Sequence, residues 1–93
     1  MQAIATATGA SDAISLPAGE FVLQFTSAGA FVLDVQVGDG TNYSDLYYDA
    51  TTKVTIDSST GPQSVAVVGG MVYRMDVGTY NSAITMTARQ AGK

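Results

Sequence analysis

Phe21-Val22-Leu23-Gln24-Phe25-Thr26, then Ser27-Ala28-Gly29-Ala30, then Phe31-Val32-Leu33-Asp34-Val35-Gln36-Val37 decide the fold class. In both apolar runs the hydrophobic residues recur at every second position. Side chains alternate across an extended strand, so Phe21, Leu23 and Phe25 share one face and Val22, Gln24 and Thr26 the other. A helix would need a repeat of three to four, and no window of the chain shows one convincingly. Working outward, the same alternation returns in Met71, Tyr73, Met75 and Val77, and again in Ile84, Met86 and Ala88. Each run predicts a strand with one face in a core and one in solvent.

Turn residues punctuate these runs at short intervals. Strands are expected near residues 3–8, 12–16, 20–27, 30–37, 44–48, 53–57, 63–68, 71–77 and 83–90. They count as about eight strands if the first two form one bent strand. Ser27–Ala30, Gly69-Gly70 and Gly78–Ser82 are expected as hairpin connections, the glycine pair because it accepts the positive φ of a tight turn. Gly38–Asn42 reads as a loop. Ser58–Pro62 is expected to be the loosest connection. Many short antiparallel strands bury their apolar faces only by closing or stacking. The fold class is therefore all-β: a small antiparallel β-sandwich, jelly-roll-like or immunoglobulin-like, spanning residues 1–93 as one domain. The chain has no cysteine and no tryptophan, so the pattern of true immunoglobulin domains is missing. Residues 1–10 read as a mobile N-terminal arm and residues 90–93 as a loose end.

The chain is 46% hydrophobic and only 13% charged, with a formal net charge of −4. That is too apolar for disorder. An acidic chain lacks the basic stripe that a phosphate backbone requires, so no nucleic-acid partner is expected. No stretch approaches the ~20 apolar residues of a membrane-spanning helix. Met1–Ala10 has neither a basic start nor a continuous apolar run, so synthesis in the cytoplasm without secretion is expected. Charge is uneven: residues 1–52 carry six acids and no base, and residues 53–93 carry a net +2.

The residues suited to chemistry are few. Without histidine and cysteine there is no common general base, no triad and no thiolate. Asp45 and Asp49 could pair as acid and base only in a cleft that a chain this short does not promise. Asp39–Asp45 supplies oxygen ligands in succession, yet Tyr43, Ser44 and Ala50 stand where a calcium loop needs an oxygen ligand, a glycine and a glutamate. No catalytic, cofactor or metal residue is expected, and no enzyme. What remains is contact chemistry. Tyr43, Tyr47 and Tyr80, with Arg74 and Arg89 on outward strand positions, are the candidate partner-contact residues, because tyrosine and arginine are enriched at interface hot spots. One of the neighbours Tyr47 and Tyr48 must face outward, whereas Tyr73 falls on an inward position. The outer faces are poor in the lysine and proline that usually guard sheet edges, which points to assembly, with Ala3–Thr8 adding to a neighbour's sheet.

Four segments carry a resemblance. Gly19-Glu20-Phe21-Val22-Leu23-Gln24 opens it, Val35-Gln36-Val37-Gly38-Asp39-Gly40 follows, and Gly69-Gly70-Met71-Val72-Tyr73-Arg74 returns to the threonine-rich Ala83–Ala88. Residues 19–88 resemble small virion structural proteins of tailed bacteriophages. The turn at Asp39 and Gly40 and the step at Tyr73 and Arg74 carry most of the likeness; Tyr43 stands where such proteins often have tryptophan. The resemblance implies a capsid decoration or cement protein in the virion. Its partners would be the major capsid protein and copies of itself, as a homo-oligomer such as a trimer. Two other roles stay open: a carbohydrate-binding or adhesion module of a tail fibre, with Asn42, Tyr43, Tyr80 and Asn81 as the sugar platform, and a minor head–tail joining or tail subunit.

Overall fold

A computed structural model describes residues 1–60 and 63–91. Among the described residues nine strands form two antiparallel sheets, with no helix. The strands are β1 (Gln2–Ala5), β2 (Gly9–Ser15), β3 (Glu20–Ser27), β4 (Val32–Gly38), β5 (Tyr43–Asp45), β6 (Thr55–Asp57), β7 (Ser64–Val68), β8 (Val72–Thr79) and β9 (Ile84–Gln90). One sheet has the order β1-β9-β3-β7. The other runs β2-β8-β4-β5, with β6 also on β4. The apolar positions read from the alternation meet between the sheets. Leu23 and Ile84 from one and Val35, Tyr73 and Met75 from the other are almost wholly buried. The chain is a β-sandwich.

The connections differ from the sequence expectation. Ser27–Ala30, Gly69-Gly70 and Gly78–Ser82 do not make hairpins. Each carries the chain from one sheet to the other, since β3, β7 and β9 lie in one sheet and β4 and β8 in the other. For Gly69-Gly70 the reason is parity. A two-residue turn there would set Val67 opposite Val72 and Val65 opposite Arg74, pairing core positions with outward ones. The chain crosses over instead, so Val65, Val67 and Tyr73 all reach the core. Gly69 makes the crossing by close approach. Its N–H donates to the Gly19 carbonyl, 2.6 Å away, and a Cβ on it would lie 1.9 Å from the Pro17 carbonyl oxygen. At the opposite end two crossovers brace each other: Asn81 Nδ2 donates to the Ala30 carbonyl (2.9 Å) and Ser27 Oγ to the Ser82 carbonyl (3.2 Å).

Among the described residues, the one tight hairpin between neighbouring strands joins β4 and β5, through the stretch read as a loop. Asp39 accepts the N–H groups of Thr41 and Asn42, both at 2.8 Å, and Gly40 takes φ +100°, which side chains disfavour.

The N-terminus also departs from expectation. Residues 1–10 are not an arm: β1 pairs with β9 of its own chain, Ala3 and Ala5 are buried, and Ala88 N–H donates to the Met1 carbonyl. Ala3–Thr8 is therefore already engaged. The first two runs belong to different sheets and are not one bent strand. Of the loose end at 90–93, Gln90 closes β9 and Ala91 N–H donates to the Glu20 carbonyl, while residues 92 and 93 lie outside the described residues. In the connection Ser58–Pro62, Asp57 accepts the Ser59 N–H and hydroxyl; residues 61 and 62 lie outside the described residues.

Candidate functional site

One edge of β4 is shared end to end. Val32–Asp34 pair with β6, and Gln36–Gly38 pair with β5. Between them the chain leaves the sheet at Leu46 and returns at Val54, held by Leu46 N–H to the Val35 carbonyl and Val54 N–H to the Leu46 carbonyl, both 2.8 Å. This excursion is a small side hairpin. Tyr47 bridges to Lys53, Tyr48 N–H donates to the Thr52 carbonyl, and Asp49 accepts the N–H groups of Thr51 and Thr52 at its tip. Those donors hold the Asp49 carboxyl below its usual range, as Asn42 and Thr41 do for Asp39.

The side hairpin projects Tyr47 and Tyr48, which are 50% and 61% exposed. Across from it stands β7, an edge strand of the other sheet, with Val68 60% and, in the crossover that follows, Met71 41% exposed. An apolar groove of about 380 Å³ runs between them, floored by Leu46, Val54 and Tyr73. Tyr73 closes it from beneath: its hydroxyl donates to the Val68 carbonyl at 2.6 Å, and burial pushes its pKa up. The groove continues past Met71 to Tyr43 and Asp39 on one side, and past Val67 and Val68 to Glu20 on the other. Met71 was expected inward with the rest of its run. It lies in the crossover before β8 and is partly exposed.

Of the five candidate contact residues, Tyr43 and Arg74 come together, and Tyr47 stands apart on the side hairpin, bridged to Lys53. The Arg74 guanidinium lies 3.8 Å from the Tyr43 ring centre, and its Nε donates to Gln36 Oε1 at 2.8 Å. Gln36 in turn donates to Asp45 (3.2 Å). Lys53 lies 3.1 Å from Asp34 and 3.9 Å from Asp45, which raises its pKa, with Asp34 the larger cause. A polar ladder therefore crosses the outer face of the β2-β8-β4-β5 sheet. Arg89 lies on the outer face of the other sheet, exposed and beside Val22. Tyr80 sits at the far end of β8 from Tyr43 and packs against the core. Asn81 is committed to the Ala30 carbonyl. The sugar platform of Asn42, Tyr43, Tyr80 and Asn81 is thus not assembled, because β8 separates its halves.

Sequence reading missed two features. Val68 and Met71 belong to the groove, and only the crossover at Gly69-Gly70 brings them beside Tyr48. Asp34, Asp45 and Asp76 offer carboxylate oxygens within 4.8 Å of one another. Strand pairing creates that cluster by placing Asp34 opposite Asp76 and Gln36 opposite Asp45. Lys53 lies against two of its three carboxylates. Asp45 and Asp49 enter separate networks. No protein-family model matches the chain, and no curated protein or solved structure matches it.

Proposed function

We propose that the chain is a virion structural protein of a tailed bacteriophage, a capsid decoration protein that binds the outer shell and stabilises it. The observation that carries this reading is the groove between β7 and the side hairpin, where four of the six exposed large hydrophobics gather. Tyrosines and a methionine around a concave apolar strip are the composition of a contact surface. The likeness of residues 19–88 to small phage structural proteins supports the same role. So does the acidic, cysteine-free composition. No catalytic step is part of the reading.

Binding the assembled shell and not its dissociated subunits shifts the equilibrium toward the particle. A site occupied at about 100 times its Kd contributes roughly 2.7 kcal/mol. A lattice repeats its sites by symmetry, so a trimer on a threefold position is the oligomer to look for. Two measurements test the proposal. Quantitative mass spectrometry of purified particles is expected to find copies comparable in number to the major shell protein; a handful would move the protein to the neck or tail, and none would end the virion reading. Particles lacking the gene are expected to lose heat and osmotic resistance, and unchanged resistance would end the cement role.

A further inference from the structure

β7 is the free edge beside the groove, and its register with β3 says which backbone groups are unused. Phe25 N–H donates to the Gln63 carbonyl and Gly69 N–H to the Gly19 carbonyl, and the register between them is unbroken. Bonded pairs alternate in an antiparallel ladder, so Val65 and Val67 also bond β3. Ser64, Ala66 and Val68 point their N–H and carbonyl groups away from it. The Val68 carbonyl takes the Tyr73 hydroxyl. The Ala66 N–H and carbonyl face the mouth of the groove, and no charged side chain stands on β7 to block them.

We propose that β7 accepts an extended segment of another protein as an added antiparallel strand, with apolar residues at alternate positions and lysine or arginine at its amino-terminal end. The backbone groups of Ala66 specify a strand. Alternate side chains of that strand would fall into the groove, against Leu46, Tyr48 and Tyr73. Charge selects the end. Among the described residues, the only charged ones lining the concave strip are Glu20 and Asp39, both acidic. Both lie where β7 gives way to Gly69-Gly70: Glu20 pairs with Val68, and Asp39 lines the strip with Gly70. An antiparallel strand brings its amino-terminal end there. A second copy of β7 would bring no positive charge. The inference stands on the groove alone and goes beyond the virion reading.

The probe is a fluorescein-labelled octapeptide of two lysines followed by alternating threonine and valine, titrated against the intact protein by fluorescence polarisation. Saturable binding is expected, weakened about tenfold when the lysines become glutamates or move to the carboxyl end. Ala66→Pro is expected to abolish it. That substitution removes an N–H the fold does not use, so circular dichroism and thermal unfolding should stay near wild type. Met71→Lys, at the groove wall, provides a second variant and is expected to weaken binding at least as much as the charge reversal. Absence of binding, equal binding of all three peptides, or binding indifferent to both variants would overturn the proposal. Self-association that Ala66→Pro removes would overturn it too, by giving the edge to a second copy. None of these outcomes depends on particles, so this test and the copy-number measurement fail separately.

Discussion

The two open sides of the sandwich are built from similar parts and end differently. On one, β1 and β2 approach each other, and short, buried Ala3 and Ala5 let them close. On the other, β7 faces a side hairpin that pairs with no strand of the opposite sheet. The closed side buries Ala3 and Ala5 within the fold and leaves only Met1 and Ile4 of its large apolar side chains in solvent. The open side leaves tyrosine, valine and methionine in solvent at a free strand edge. A chain this small has little burial to spare, so apolar surface left at one edge marks the edge that meets a partner. Substitutions on the closed side should move stability, and those on the open side should move binding.

The largest effect is expected at Met86, which is fully buried and pairs with Ala3 of β1. Met86→Ala should cost about 2–5 kcal/mol in denaturant unfolding. A loss under about 1 kcal/mol would show that the closed side is loosely packed. Gly69→Ala comes next. A methyl aimed at the Pro17 carbonyl must push the crossover apart, with a loss of roughly 2–3 kcal/mol expected by the same measurement. Wild-type stability would mean the crossing is not tight. Tyr73→Phe removes one bond to the Val68 carbonyl and should cost about 1 kcal/mol.

The smallest effect belongs to the open side. Tyr48→Ala should leave stability within about 0.5 kcal/mol while weakening peptide binding. A larger loss of stability would make Tyr48 part of the core and dissolve the contrast.

The titrating groups bound a pH window. Asp39, Asp49 and Asp57 have carboxyls lowered from 3.8 by donors in their own turns. What they contribute is present above that ordinary value and lost as acid protonates them below it. Tyr73 is raised from 10.0 by burial, and Lys53 from 10.5, chiefly by Asp34. Their contributions are full below those ordinary values and lost as pH rises through the raised ones. Thermal unfolding should therefore be flat from about pH 5 to 9 and fall on both flanks. In Tyr73→Phe the alkaline fall should soften; an unchanged fall would assign it to other groups.

Period-two alternation made the strands and the core legible in the sequence. Phe21, Leu23, Phe25, Leu33, Tyr73, Met75 and Met86 all read correctly as inward. Alternation says which face a residue takes, not which sheet its strand joins, so three crossovers read as hairpins. The parity at Gly69-Gly70 was the one readable warning. Tyr43, Tyr47 and Arg74 were legible as outward positions, with Tyr47 half exposed. The groove was not, because Tyr48 and Val68 are neighbours only through the topology. The Asp34, Asp45 and Asp76 cluster hides for the same reason: its members belong to three strands.

Amide hydrogen exchange along β7 of the free protein, read by NMR, tests the central claim most directly. Val65 and Val67 should be protected by their bonds to β3, Ala66 between them should exchange fast, and the lysine-led peptide should slow Ala66 alone among the three. An Ala66 amide as protected as its neighbours in the free monomer would mean that this edge is already covered, and would contradict the account.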